Sequence, residues 1–171
     1  MHATHTARSN SGFTLVEVLV TLLVLSIGLL GIAKLLLVSS RANDSAYMRT
    51  QATALAYSIL DSMRANRQTA VSGGYSASTA TVTDPGVTCS TAASPCSNAI
   101  IAQLDLWQWK NDLANGLPAG AGSVTTANVT DPVTGGSDVT ATVTVQWNDT
   151  VAQQAFGAAA GNVSITLETV L

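Results

Sequence analysis

Residues 13–38 read FTLVEVLVTLLVLSIGLLGIAKLLLV, and this apolar run decides the architecture of the chain. Glu17 and Lys34 are its only charged residues. As an α-helix the run would be about 39 Å long, at about 1.5 Å per residue. The hydrocarbon core of a bilayer is about 30 Å thick. The run is therefore long enough to cross a membrane as one helix.

Two ordinary interpretations of this run are incomplete. A cleaved secretory signal has a shorter apolar stretch followed by small residues of the A-x-A kind, whereas residues 36–41 read LLVSSR. A plain membrane anchor fits the length but gives no reason for Glu17, because a carboxylate inside a bilayer costs about 2.5–3.5 kcal/mol on insertion scales. Glu17 is therefore a candidate functional residue.

Charge is scarce and unevenly distributed along the 171 residues. Only 10% of them are charged, against about 25% in an average soluble domain, and the net charge is −3. Residues 1–67 hold six of the seven basic residues and three acidic ones, whereas residues 68–171 hold seven acidic residues and one basic residue. This balance argues against a nucleic-acid partner, and the 47% hydrophobic content excludes a disordered chain.

Residues 11–20, SGFTLVEVLV, resemble the class III signal of type IV pilins and the related pseudopilins. In that family a short polar leader ends in Gly, Phe follows it, and Glu is the fifth residue of the hydrophobic helix. The resemblance implies that a prepilin peptidase cuts between Gly12 and Phe13 and removes residues 1–12 as a leader. It also implies N-methylation of the new terminal Phe13.

The same resemblance implies that Glu17 sets the register of assembly. Cleavage creates an α-amino group beside an apolar helix, where a bare cation is as unfavourable as a bare anion. When helices pack side by side with an axial offset, the carboxylate of one subunit neutralises the amine of another. The alternative is an incidental Glu near the lipid headgroups.

Positive-inside counting does not settle the topology, since the leader holds Arg8 whereas Lys34, Arg41 and Arg49 follow the apolar run. The resemblance implies a cytoplasmic N-terminus, one pass through the inner membrane and a head in the periplasm. After assembly the subunit is expected in the pilus fibre at the cell surface.

No Pro interrupts residues 13–67, so one long helix is predicted there. Residues 13–40 form its transmembrane half and residues 41–67 its amphipathic half. Gly28 and Gly31 indicate either an unwound turn or tight packing through small residues. In the second half, apolar residues recur at spacings of three and four and predict a core face. They are Met48, Ala52, Leu55, Ala56, Ile59, Leu60 and Met63.

Residues 45–57 and 63–67 resemble one group within the family more closely, the PilV group of minor pilins, also described as type IV pilus modification proteins. Residues 104–110, with Leu113 and the Leu-Pro pair at 117–118, resemble the same group less specifically.

The head, residues 68–171, begins with a Ser/Thr-rich stretch, residues 68–97, that predicts a loop or short irregular strands. Cys89 and Cys96 lie within it. A zinc site needs four ligands and the chain has no other Cys, so a disulfide is expected, with free thiols as the alternative. A disulfide indicates an oxidising compartment such as the periplasm, which supports the topology.

The rest of the head predicts one helix and a sheet. Residues 98–115 form the helix, with Ser97 or Asn98 as its N-cap, and Trp107 and Trp109 are interpreted as packing anchors rather than as a binding platform. Alternation between apolar and polar residues predicts further strands. These strands lie at 123–130, 139–148 and around Val163, Ile165 and Leu167. The predicted fold is α+β and pilin-like, a long helix packed on three or four antiparallel strands.

Catalytic chemistry is not expected. His2 and His5 both lie in the leader, so the mature chain has no His for Ser-His-Asp or Cys-His catalysis. Asp131 and Asp138 are interpreted as turn residues rather than calcium ligands. We predict no enzyme activity, no metal and no cofactor.

The resemblance implies a minor pilin that primes pilus assembly, forms part of a tip complex and supports twitching motility and adhesion. Its implied partners are other minor pilins, the major pilin, the prepilin peptidase, a tip adhesin and inner-membrane lipid. Two alternatives stay open: a minor pseudopilin of a type II secretion system, and a membrane-anchored periplasmic binding module that never enters a filament.

Overall fold

The computed structural model describes residues 12–89, 96–130, 135–157, 159 and 161–171. Within them the chain forms an α+β fold, as predicted, in which a long N-terminal helix packs on a small three-stranded antiparallel sheet of order β1-β2-β3. The elements in chain order are α1 (Leu15–Ala65), α2 (Arg67–Val71), α3 (Asn98–Gly116), β1 (Ala121–Thr130), β2 (Ser137–Asn148), α4 (Thr150–Ala155) and β3 (Asn162–Val170).

The chain divides into two compact units between Ser40 and Arg41. The first unit contains the apolar part of α1, which is helical without a break through Gly28 and Gly31. A Cβ atom at either glycine would find open space. The unwound turn considered for these glycines is therefore absent, and within the described chain neither of them packs against another element.

The second unit is built around the predicted core face of α1. Ala52, Ala56, Ile59, Leu60 and Met63 are buried, and Met48 and Leu55 pack against them at the edge of the core. Small residues at two of the buried positions let the neighbouring elements approach the helix closely. The apolar stripe seen in the sequence is thus the face that holds the head together.

The end of α1 differs from the prediction. A helix to residue 67 was expected, but α1 ends at Ala65 and the separate short helix α2 begins at Arg67. Asn66 lies between them with φ −116° and ψ 49°, and its side-chain Nδ2 donates to the Asn98 carbonyl at 2.7 Å. This bond to a distant part of the chain, which local sequence does not encode, turns the chain at residue 66.

The predicted second helix is present as α3. The Ser97 hydroxyl accepts a hydrogen bond from the Ile100 N–H at 3.4 Å, so Ser97 is the N-cap. The helix ends at Gly116, one residue beyond the predicted end. Trp109 is buried and its Nε1 donates to the Leu55 carbonyl at 2.9 Å, which confirms it as a packing anchor between α3 and α1.

The sheet has the predicted alternation. In β2 the side chains of Ala141, Val143, Val145 and Trp147 are fully buried. Val143 lies opposite Val124 of β1 and Leu167 of β3, which continue the apolar surface across the sheet. This apolar face packs against α1 and α3 to complete the core.

One glycine is required where β1 passes α3. A Cβ atom on Gly122 would lie 2.5 Å from Cη2 of Trp109 and 2.8 Å from Cδ1 of Leu113. These distances are far below van der Waals contact, so a larger residue at 122 would push the strand and the helix apart.

Two elements go beyond the sequence prediction. The first turn of the Ser/Thr-rich stretch is helical, as α2, and Ala77 further along forms an antiparallel bridge with Val124 of β1. The helix α4 follows β2 directly and buries Ala152. Its six residues are too few to show a helical period.

Candidate functional site

The bond between Gly12 and Phe13 lies in a non-helical segment immediately before α1. Gly12, Phe13 and Thr14 precede the first residue of the helix. Phe13 is 84% exposed. Exposed, non-helical backbone near a terminus is the preferred substrate of peptidases, because its amide groups are free of helical hydrogen bonds. Cleavage at this bond stays a prediction, and the geometry is compatible with it.

Thr14 caps the first turn of α1. Its Oγ1 accepts a hydrogen bond from the Glu17 backbone N–H at 3.3 Å, and its carbonyl oxygen accepts from the N–H groups of Glu17 and Val18 at 3.1 and 3.3 Å. Thr14 is thus the N-cap and Glu17 the third helical residue. A carboxylate there is favoured by the positive end of the helix dipole, which gives Glu17 a local role at the helix start.

The cap has a sequence signal that the reasoning from sequence missed. Thr14-Leu15-Val16-Glu17 follows the S/T-x-x-E pattern of a capping box ahead of an apolar run. Glu17 is recognisable in the sequence as a lone charge in an apolar run, whereas the role of Thr14 depends on this capping pattern. The two residues are structurally linked, because the Thr14 hydroxyl caps the helical turn that carries the Glu17 side chain.

The Glu17 carboxylate has no hydrogen-bond or ion-pair partner within the part of the chain that the structure describes. The side chain is exposed. Near an apolar helix, an unpaired carboxylate favours a cation from outside the chain as its partner. Its predicted pairing with the amine of another subunit is compatible with this arrangement and is not tested by it.

The apolar half of α1 exposes almost all of its side-chain surface in the isolated chain. The large apolar residues from Phe13 to Leu37 are between 48% and 84% exposed. A continuous apolar surface of this size marks contact with a membrane or with other protein. Within the described residues, α1 is the one helix long and apolar enough to cross a bilayer.

Polar side chains within this apolar half are satisfied by the helix itself. The Thr21 hydroxyl donates to the Glu17 carbonyl at 2.8 Å, and the Ser26 hydroxyl donates to the Leu22 carbonyl at 2.7 Å. Bonds of this kind let hydroxyl groups enter an apolar environment without an unpaired donor. Glu17 and Lys34 are the two charged groups of this half, and each needs a partner or water.

Comparison with known protein families finds a match in this region. Residues 7–33 match the prokaryotic N-terminal methylation motif. This match supports a type IV pilin-like protein. Proteins with this motif are in general structural and not enzymes, and together the motif and the apolar helix suggest membrane anchoring. Neither a curated protein nor a solved structure matches the chain.

The predicted disulfide is present in the head. The Sγ atoms of Cys89 and Cys96 are 2.07 Å apart and their Cα atoms 5.3 Å apart. The residues between them at 90–95 lie outside the described part of the chain. The bond gives the head a covalent link in the stretch between α2 and α3, whose described residues belong to no named helix or strand.

A buried lysine joins three segments of the head. Lys110 on α3 is 8% exposed, and its Nζ donates to the carbonyl oxygens of Ser78, Ala80 and Gly122. The last two bonds are 2.9 and 2.5 Å long. Burial lowers the pKa of Lys110 from its ordinary value. Three carbonyl acceptors match the three N–H donors of an ammonium group, so this lysine is a structural link.

A second polar contact joins the segment after α2 to α3. Tyr75 is fully buried, and its hydroxyl donates to Oδ2 of Asp105 on α3 at 2.5 Å. Burial raises the pKa of Tyr75 well above its ordinary value, and the bond to the Asp105 carboxylate adds to that shift. Both contacts explain how the head is held together and do not form a catalytic arrangement.

The described residues contain no group of three or more His, Cys, Asp or Glu side chains placed to hold a metal ion. Asp131, considered with Asp138 at the sequence level, lies outside the described residues. Trp107 is half-buried, whereas Trp109 is buried.

Proposed function

We propose that this chain is a minor type IV pilin of the PilV kind. Its N-terminal segment carries this proposal: a prepilin-type methylation motif at residues 7–33 coincides with an exposed Gly12–Phe13 bond, a capped helix start and an apolar helix. The precursor inserts in the inner membrane by residues 13–38. A prepilin peptidase removes residues 1–12, and Phe13 is methylated.

Glu17 performs the registering step of assembly in this proposal. Extraction from the membrane moves the apolar half of α1 from lipid into contact with other pilin helices, which keeps its exposed leucines and valines away from water. Burying each such side chain stabilises the assembled state by about 1.5–3 kcal/mol. This hydrophobic contribution is large but does not select one axial offset between helices. The Glu17 carboxylate adds direction, because it pairs with the Phe13 amine of a neighbouring subunit at one axial offset.

The head supplies the specificity for partners. The Lys110 link and the bridge between Ala77 and Val124 hold the first part of the segment between α2 and α3 against β1. The disulfide between Cys89 and Cys96 closes a loop further along the same segment. The surface formed by this segment and the sheet contacts other minor pilins. The resulting complex primes the fibre, lies at its tip and presents an adhesin. The protein thus functions in pilus assembly, twitching motility and adhesion.

Deletion and complementation of the gene test the proposal. We expect the deletion strain to lose surface pili and twitching, and the wild-type gene to restore both. Loss of exoprotein secretion with normal pili would contradict the proposal and assign the chain to a type II secretion system instead. A strain with normal pili, motility and secretion would support a binding module outside any filament.

A further inference from the structure

A cavity of about 280 Å³ lies within the second unit, between α1 and the junction of β2 with α4. Its lining combines apolar and charged residues. Met48, Val151 and Ala152 are among the apolar ones, and the charged ones are Arg41, Asp44 and Asp149. Two carboxylates against one guanidinium give the lining a net charge of −1. A ligand that complements this cavity therefore joins an apolar part to a positive charge.

Asp149 is the buried charge of the lining and is 3% exposed. Its Oδ2 accepts a hydrogen bond from the Ser45 hydroxyl at 2.5 Å. Its Oδ1 has no hydrogen-bond partner within the described residues. A buried carboxylate oxygen without a donor is unfavourable, because it has lost its contacts with water and gained none in exchange. A donor from outside the chain would remove this penalty.

The guanidinium in the same lining does not act as that donor. Among the described residues the ion pair is formed by Arg64 and Asp61, and Arg41 pairs with neither Asp44 nor Asp149. A metal ion is a less suitable ligand, because the described part of the chain has no group of three or more His, Cys, Asp or Glu side chains placed to hold one. The lining thus leaves its two carboxylates available to an organic cation.

The hydrogen bond from Ser45 favours one kind of organic cation. A guanidinium binds a carboxylate best through two parallel N–H···O bonds, one to each oxygen. Because Oδ2 of Asp149 already accepts from Ser45, Oδ1 is the oxygen left without a donor. An ammonium group is a compact charge whose N–H donors can bind a single oxygen. The lysine side chain also carries the apolar stem that the lining accommodates.

We propose that this cavity, the Asp149 cavity, binds a lysine side chain of a partner protein. The lysine Nζ donates to Oδ1 of Asp149, and its methylene groups lie against Met48, Val151 and Ala152. The exposed carboxylate of Asp44 adds a second attractive charge. That the partner is another pilus subunit rests on the proposed function, whereas the chemistry of the cavity does not.

Titration of the full-length chain in non-ionic detergent micelles tests the cavity. The probe is lysine blocked as its N-acetyl N-methylamide, so that the side-chain ammonium is its only charge. Norleucine blocked in the same way is the matched control, because it has the apolar stem without the ammonium group. Binding is followed by NMR of the isotope-labelled chain. We expect the amide signals of Val151 and Ala152 to shift with blocked lysine and to stay in place with blocked norleucine.

This comparison needs no substitution, so it does not depend on how well a variant folds. Equal shifts with the two probes would overturn the role of the ammonium group. No shift with either probe would overturn the site, as would be found if an ordered water satisfies Asp149.

Asp149→Asn tests which residue makes the contact. It retains the size of the side chain and removes its charge, so we expect it to weaken the binding of blocked lysine by about tenfold or more. Asp138→Asn is the control, since Asp138 is an exposed aspartate of β2 that does not line the cavity. Equal affinities of the two variants would overturn the assignment to Asp149.

Two further probes test the choice of lysine. Blocked arginine is expected to bind the wild-type chain more weakly than blocked lysine, and to gain affinity in Ser45→Ala, where both oxygens of Asp149 are free. Equal binding of the two blocked residues to the wild type would overturn the selectivity for ammonium. Binding of n-butylammonium without binding of blocked lysine would assign the cavity to a small free amine and overturn the protein partner.

Recovery of the variants in sheared pili tests the partner. We expect Asp149→Asn to be recovered less than Asp138→Asn when both are present at equal levels in the membrane. Equal recovery would overturn the assignment of the lysine to another pilus subunit. Absence of the wild-type chain from pili would instead contradict the proposed function, while the titrations would still decide whether the cavity binds lysine.

Discussion

The Thr14 side chain receives a hydrogen bond from the backbone N–H of Glu17, 3.3 Å from N to Oγ1, and thereby starts the helix on which the account of this protein depends. The bond places the one acidic side chain of the apolar run in the first helical turn, four residues after the predicted mature N-terminus. The residue that starts the helix and the carboxylate proposed to act in assembly are therefore only three positions apart. Substitution of each residue by itself can separate the two roles.

Glu17→Gln is expected to leave membrane insertion intact and to lower recovery of the subunit in sheared pili. Gln retains the hydrogen-bonding capacity of the third helical position but not the charge that pairs with an amine. Thr14→Ala is the matched control, since it removes the cap, at a cost of about 1 kcal/mol, and keeps the carboxylate. Recovery of Glu17→Gln at the wild-type level would contradict the role of the charge, whatever the effect of Thr14→Ala.

Gly12→Ala is expected to slow or stop removal of the leader without changing the fold. A Cβ atom at Gly12 meets nothing within 4 Å in the chain itself, so any loss of processing comes from contacts with the peptidase. The measurement is the ratio of precursor to mature chain on co-expression with a prepilin peptidase. Gly28→Ala, also in open space, serves as the control, and full processing of Gly12→Ala would contradict the assigned site.

Lys110→Met is expected to destabilise the head by about 3 kcal/mol. The substitution leaves the carbonyls of Ser78, Ala80 and Gly122 without their donor, and a hydrogen bond to a charged group contributes about 1.5–3 kcal/mol. Denaturation of the full chain in detergent micelles, followed by fluorescence, measures this change, because all three tryptophans lie in the head. Arg49→Met, on an exposed side chain, is expected to change stability little, and equal stability of the two variants would contradict the role of Lys110.

Tyr75→Phe is expected to destabilise the head at neutral pH by an amount that shrinks as the pH rises above about 10. The folded-state pKa of Tyr75 is raised above its ordinary value of 10.0, so the folded protein keeps the phenolic proton where the unfolded chain loses it. The stability from this group is therefore fully present below pH 10 and is lost as the pH rises toward the folded-state pKa.

The contribution of Lys110 has the opposite sign and lies in a lower pH range, because burial lowers its pKa from 10.5 and the folded chain loses this proton before the unfolded chain does. It is common to wild type and Tyr75→Phe, so the difference between their free energies of unfolding isolates Tyr75. A difference that stays constant from pH 8 to pH 11 would contradict the prediction.

Most of the fold could be predicted because its elements follow strong periodic patterns. The helical stripe ending at Met63, the alternation through Val143 and Val145, and Ser97 as a cap are local signals, and the structure has each of them. The end of α1 was wrong by two residues, since Asn66 turns the chain through a bond to Asn98, 32 residues away.

The parts that sequence missed depend on contacts between distant segments or on very short elements. A single lysine in an amphipathic helix usually points to solvent, and nothing local reveals that Ser78 and Gly122 bring carbonyls to Lys110. The helix α4 has six residues and no side-chain cap. At the candidate site, Glu17 was found because a charge in an apolar run is conspicuous, whereas the Thr14 cap has a local pattern that was not used.

The mature N-terminus tests the central claim most directly. The full-length gene is expressed in cells that have a prepilin peptidase, and the N-terminal sequence and intact mass of the recovered chain are determined. We predict a chain that begins at N-methylated Phe13. A chain that retains Met1, or one that begins near residue 40, would contradict the account.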